Sequence, residues 1–288
     1  MDDLDTFGLP NSIDIRLLGI CNLSCSFCFG PRHHIRATRF DEICNLIPIL
    51  RSYGVSRLIL TGGEPLLVRR LPELLLRAHD QGFRIVLSTN GSLLPSRHAQ
   101  IVPYLNWIAL PLDGPSASVH DALRPGKRSS FSDVQVALLL LRRLYPDVKI
   151  KLGTVVQPGN IGTVAGIPRL LTDWGIRPDV WKLYQVSFSN YAGDNRMALD
   201  LPEQLFEDEI ASARAAAQSL KWRTVVYRNN TRDGQYLFLE PSGDAMAISN
   251  GEEFTIGNFL DDLSSVLRCW YKYVSDARLD RNADLTYS

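Results

Sequence analysis

The stretch that decides the fold is Ile13-Asp-Ile-Arg-Leu-Leu-Gly-Ile-Cys21-Asn-Leu-Ser-Cys25-Ser-Phe-Cys28. Ile13–Leu18 reads as a short strand, and three cysteines follow it within eight residues. Working outward, further aliphatic or β-branched runs stand at Arg57–Leu60, Arg84–Ser88, Trp107–Pro111, Lys149–Val156 and Val180–Val186. Amphipathic stretches separate them, near Phe40–Tyr53, Leu71–Gln81, Pro95–Tyr104, Ser132–Leu144 and Thr163–Trp174. Strands alternating with helices predict βαβ units, a parallel sheet and right-handed crossovers. Gly54 and Gly82 sit just past two of the helical segments, where a C-terminal glycine is expected. Six such units predict an α/β fold, a partial (β/α)6 TIM-like barrel, with function at the C-terminal ends of its strands.

The last hundred residues read differently. Pro202–Leu220 is a long helix rich in Ala and Glu, and Leu260–Leu279 a second amphipathic one. Between them, Arg223–Tyr227, Gln235–Glu240 and Ala245–Ser249 read as short strands. The turn Glu240-Pro-Ser-Gly-Asp244 joins the last two as a β-hairpin. The expected division is a barrel core over 1–190 and a capping extension over 191–288, within one globular unit.

Composition bounds the function. The 288 residues carry 31 basic and 31 acidic side chains, a balance that argues against a broad nucleic-acid footprint. A hydrophobic content of 45% excludes a disordered chain. No apolar run reaches the roughly 18 residues of a membrane span. The acidic Met1–Asp5 lacks the order of a signal peptide, so a cytoplasmic location is expected. The five cysteines, at 21, 25, 28, 44 and 269, are an odd number in a chain expected to be cytoplasmic, which argues against a disulfide framework.

Thiolates spaced as Cys21, Cys25 and Cys28 can converge on one metal centre. Structural zinc wants four ligands, usually as two pairs; no second pair exists, and only His33 and His34 lie close enough to substitute. Iron–sulfur clusters usually take four cysteines, so three would leave one iron open. Three ordinary buried cysteines are the remaining alternative.

A CxxxCxxC loop after the first strand of a β/α barrel, with an aromatic Phe27 before its third cysteine, resembles the radical S-adenosylmethionine superfamily. The resemblance implies that Cys21, Cys25 and Cys28 hold a [4Fe–4S] cluster. Its fourth iron would chelate the amino and carboxyl groups of S-adenosylmethionine (SAM). Thr61-Gly-Gly-Glu-Pro65 follows the second strand and resembles the family's GGEP segment, which implies that Gly62, Gly63, Glu64 and Pro65 serve the methionyl amino group. Ser88-Thr-Asn90-Gly91 resembles the segment that contacts ribose and carboxylate; alone, Asn-Gly is first of all a turn. The implied chemistry is reductive cleavage of SAM to a 5′-deoxyadenosyl radical, which abstracts a hydrogen atom. An external one-electron donor such as flavodoxin or ferredoxin would feed the cluster.

Only Cys269 lies beyond Cys44, so no auxiliary cluster can be built from C-terminal cysteines, which favours a small-molecule substrate. Within the superfamily the chain is most similar to the viperin type, whose members dehydrate nucleoside triphosphates. Ser88-Thr-Asn-Gly-Ser92, Leu123-Arg-Pro-Gly126, Ile150-Lys-Leu152, Trp181-Lys-Leu-Tyr-Gln185 and Gln235-Tyr-Leu-Phe-Leu239 carry that resemblance. It implies that Arg124, Lys151 and Lys182 face phosphates. Gly153 and Val180 depart from the type, standing where it has asparagine and arginine. The expected substrate is a nucleotide, sugar nucleotide or phosphorylated sugar, undergoing dehydration, epimerisation or another rearrangement. A peptide-modifying radical enzyme and a non-enzymatic metal-binding protein are the alternatives.

Four more positions are candidates. Asp113 ends the fourth strand and would point into the barrel mouth to meet substrate; a helix-capping Asp is the alternative. Cys269 and Tyr236 could return a hydrogen atom to a substrate radical, against readings as ordinary core residues. Cys44 reads as core, while His33 and His34 are cofactor or substrate candidates or else surface imidazoles.

Overall fold

In the computed structural model, residues 10–32, 39–229, 236–249 and 252–276 are described. Ten strands form one sheet: β1 Ser12–Arg16, β2 Arg57–Thr61, β3 Arg84–Ser88, β4 Trp107–Pro111, β5 Lys149–Val156, β6 Val180–Gln185, β7 Thr224–Tyr227, β8 Leu237–Leu239, β9 Asp244–Ser249 and β10 Glu252–Asn258. Their order is β10-β9-β8-β1-β2-β3-β4-β5-β6-β7, and the sheet does not close. Every pairing from β8 through β1 to β7 is parallel, whereas β8–β9 and β9–β10 are antiparallel. This is the α/β, partial TIM-like architecture that the alternation predicts.

Helices α1 Phe40–Ser52, α2 Leu71–Asp80, α3 Leu94–Ile101, α4 Ala117–Leu123, α5 Ser130–Leu144 and α6 Ile167–Asp173 carry the crossovers between β1 and β6. After β6 come α7 Asn190–Asp194, α8 Arg196–Leu199 and α9 Glu203–Ser219; α10 Leu263–Asp276 ends the described chain. Gly54 and Gly82 have positive φ and follow α1 and α2, the left-handed stop that glycine adopts at least cost. Among the described residues no helix is long and apolar enough to cross a membrane.

Two-residue alternation sorts each strand. On β1, Ile13 and Ile15 join the main core cluster, while Asp14 and Arg16 take the opposite face and line the barrel cavity. The bottom of the barrel is plugged by Ile59, Val86, Trp107 and Val180, with Val225 packed against them. Lys151 and Lys182 lie on the same strand faces as Lys149 and Val180, two residues further on, so they stand in the layer above the plug.

The C-terminal third extends the sheet as well as covering it. β7 adds to β6 as a seventh parallel strand, and β8 flanks β1 from the other side. The β8–β9 hairpin forms with Gly243 at φ +93° in its turn. β10 was not anticipated: Glu252-Glu-Phe-Thr-Ile-Gly-Asn258 alternates weakly and carries two acidic residues and a glycine. It holds one of the carboxylates that matter most below.

Candidate active site

The site lies at the C-terminal ends of the strands, in a cavity of about 340 Å³. Cys21, Cys25 and Cys28 all line it, as free thiols. The loop carrying them is pinned from two sides. Ser24 N–H donates to Pro125 O (3.0 Å), and Asn90 Nδ2 donates to Asn22 Oδ1 (2.8 Å). Leu23 N–H lies 3.4 Å from Cys21 Sγ and Asn90 Nδ2 3.8 Å from it, so Cys21 is met by two donors. Burial pushes the Cys25 thiol up to about 12, against the pull of Arg124, so a metal centre would have to displace that proton.

The three thiols stand around one cavity, where they could serve as ligands to separate irons of a cluster. His33 and His34 lie outside the described residues.

The Gly62-Gly63 turn shows why it carries no side chain. A Cβ on Gly62, at φ +138°, would sit 2.6 Å from Leu18 O, and one on Gly63 would overlap the Ile20 carbonyl. Both glycines line the cavity, with Gly30 packed against Gly62 O. Glu64 and Pro65 do not. Glu64 is wholly buried and accepts from Leu66 N–H (2.9 Å), Thr89 Oγ1 (2.6 Å) and Asn90 N–H (2.8 Å). Burial raises its carboxyl while those three donors oppose the shift. It therefore braces the ends of β2 and β3. Pro65, also buried, starts the turn that follows. Ser88 and Asn90 reach the cavity wall.

Asp113 likewise turns away. It is fully buried, accepts from Val155 N–H (2.8 Å) and pairs with Arg124 Nε. It misses the cavity because its carboxylate is consumed in holding Arg124. Arg124 does reach the wall, with its guanidinium 4.9 Å from the Phe27 ring centre. Burial works against its charge, but Asp113 outweighs it, and Cys25 and Cys28 add to the effect. Arg124 thus stands beside the cysteine loop, in the same cavity lining as the two lysines.

Lys151 and Lys182 also line the cavity, both almost buried. Lys182 Nζ donates to Tyr227 OH (2.9 Å) and lies 4.2 Å from that ring's centre. Tyr236 lines the cavity and stacks on Phe238, with centroids 5.7 Å apart and planes 5° apart. Cys269 does not join them: it is exposed on α10, outside the cavity, because the inward positions of that helix are taken by Val266, Leu267 and Trp270. It is not among the residues that line the cavity. Cys44 is buried on α1.

Sequence reasoning missed the two residues that β1 sends inward. Arg16, 1% exposed, lies between the rings of Phe29 and Phe238 at 4.6 and 4.1 Å. It pairs with both Glu240 and Glu253, which hold it protonated despite its burial. Asp14 lines the cavity near Lys151 and Lys182, and burial pushes its carboxyl up to about 6 against their pull. The signal was present: charged residues alternating with isoleucines in a strand declare a polar inner face.

Comparison with known proteins agrees with this geometry. The chain matches the Radical SAM superfamily over residues 15–161, which spans β1 to just past β5. An S-adenosylmethionine-dependent nucleotide dehydratase of Flammeovirga pacifica is 24% identical over 249 residues, covering 83% of each chain. An AdoMet-dependent heme synthase of Nitratidesulfovibrio vulgaris is 30% identical over 155 residues, which is 52% of this chain and 41% of that one. The solved structure of anSMEcpe with bound AdoMet and the Cp18Cys peptide superposes with a TM-score of 0.71 at 15% identity, over 94% of this chain and 84% of that one, a likeness of fold. With its three-cysteine loop and glycine turn at the mouth of an open barrel, the chain belongs to the radical SAM superfamily, and it is an enzyme that works with a [4Fe–4S] cluster and S-adenosylmethionine.

Proposed function

We propose that this enzyme abstracts a hydrogen atom from a small phosphorylated molecule, nucleotide-like or a sugar phosphate, and rearranges it. The observation that carries this reading is the pair Lys151 and Lys182, almost buried on adjacent strands and lining the same cavity as the cysteines. Two ammonium groups lining one cavity attract an anion that enters it. The similarity to nucleotide dehydratases supports the same class.

In this reading Cys21, Cys25 and Cys28 hold the cluster, and Gly62, Gly63, Ser88 and Asn90 border the SAM site. When bound, these groups supply the radical that removes hydrogen. The chain's own work is to bind and to orient. Lys151 and Lys182 fix the anionic end of the substrate. The tyrosine–phenylalanine wall excludes water and offers stacking surface. Tyr236, on that wall, is the remaining candidate for returning a hydrogen atom. The enzyme works in the cytoplasm with an electron donor of the flavodoxin or ferredoxin kind, and without nucleic-acid or membrane partners. Barrel core and C-terminal extension act as one unit, since Arg16 of the first is held by Glu240 and Glu253 of the second.

The test is a substrate panel under anoxic, reducing conditions, scored by mass spectrometry of 5′-deoxyadenosine. Nucleotides, sugar nucleotides or sugar phosphates should raise it well above the substrate-free background. A rise with peptides and with none of the phosphorylated small molecules would overturn the proposal.

A further inference from the structure

Asp14 has no role in the function proposed above, and its surroundings are unusual. It is 9% exposed, and it lines the cavity above the apolar plug. Lys151, Arg16 and Lys182 act on it through space. Among the described residues its carboxylate accepts no hydrogen bond and closes no ion pair. Arg16, the nearest cation on its own strand, is already committed to Glu240 and Glu253. A carboxylate that opens onto a cavity with no described protein donor is free to accept from a ligand there.

The neighbouring positions sharpen what that ligand can be. In the sheet register Lys151 is paired with Val180 and Lys182 with Gly153, so these partners bring no further cation. The floor therefore presents a carboxylate beside two ammonium groups. One anionic group can sit against the lysines. A chain of phosphates would bring its further negative charges up to Asp14, where like charges in a desolvated site repel strongly. What Asp14 lacks is a donor, and a sugar hydroxyl supplies one, as acidic side chains do for ribose hydroxyls elsewhere.

We infer that the substrate is a hydroxyl-bearing phosphate monoester, with one phosphate held by Lys151 and Lys182, a sugar hydroxyl donating to Asp14, and polyphosphates rejected by that same carboxylate. This deepens the proposed function and rests on its assignment of the two lysines to an anion.

Calorimetry on the anaerobically reconstituted, SAM-loaded enzyme at pH 7.5 tests it, with orthophosphate, tripolyphosphate and ribose 5-phosphate as probes. In the native protein ribose 5-phosphate should bind about tenfold tighter than orthophosphate, the worth of one hydrogen bond to a charged group, and tripolyphosphate should bind weakest. Asp14→Asn should cut the ribose 5-phosphate advantage by about tenfold and raise the affinity for tripolyphosphate by a similar factor. Tightest binding of tripolyphosphate to the native protein would overturn the inference. So would an unchanged order in Asp14→Asn, or no binding of any probe. The native series decides even if the variant does not fold. Failure of the broader proposal shows separately, as the absence of 5′-deoxyadenosine with every phosphorylated small molecule.

Discussion

Two charged side chains leave β1 on the same face, two residues apart, and meet opposite fates. Arg16 is enclosed between two aromatic rings and two carboxylates, so its charge is answered within the protein. Asp14 is nearly as buried, yet among the described residues it finds only through-space attraction, from Lys151, Arg16 and Lys182. The difference teaches how to divide a polar interior. A saturated charge is architecture, here the clasp that ties β1 to β9's turn and to β10. An unsaturated one is an address for something that arrives later.

Breaking the clasp should have the largest effect. Arg16→Met leaves Glu240 and Glu253 buried without their cation, which typically costs about 3–5 kcal/mol. For a chain of this size that lowers the melting temperature by roughly 10 °C, readable by calorimetry. If the melting temperature of Arg16→Met stayed within a degree or two of the parent, the division drawn between the two residues would collapse. Asp14→Asn, by contrast, removes an ill-satisfied charge and should leave the melting temperature unchanged or slightly raised at neutral pH.

A second, intermediate effect concerns pH. The native Asp14 carboxyl binds its proton more tightly than the unfolded chain does, since its value rises from 3.8 to about 6. Its contribution to stability is therefore complete below about pH 3.8 and is lost as pH rises through about 6. The same titration adds a negative charge to the cavity floor. Sulfate, whose charge is constant over this range, should bind more weakly at pH 7.5 than at pH 5, and Asp14→Asn should flatten that dependence. Equal slopes in the two proteins would assign the titration to another group.

The smallest effect belongs outside both networks. Cys269→Ala should leave SAM cleavage and product formation unchanged, because that thiol is exposed on α10 and outside the cavity. Loss of product with retained cleavage would restore it as a hydrogen donor.

Legibility in the sequence followed the same division. The cysteine loop and the Gly62-Gly63 turn are contiguous, so spacing alone exposes them, and the strand–helix alternation fixes the order in which they reach the barrel mouth. Lys151 and Lys182 were readable as charges inside apolar strands. The clasp was not, because its three members lie 224 and 237 residues apart in sequence and meet only once β8 pairs with β1. Glu64 and Asp113 show the converse: motif position pointed them at a ligand, but each accepts from donors within the fold. Asp14 could be seen as a charge in a strand, though only the three-dimensional neighbourhood reveals that no described residue donates a hydrogen bond to it.

The most direct measurement is iron and colour after anaerobic reconstitution, made on the native protein and on Cys21→Ala, Cys25→Ala and Cys28→Ala. The expected result is a brown native protein with about four irons per chain, and loss of the cluster in each variant. A colourless protein that takes up a single zinc, or a cluster that survives removal of Cys25, would contradict it.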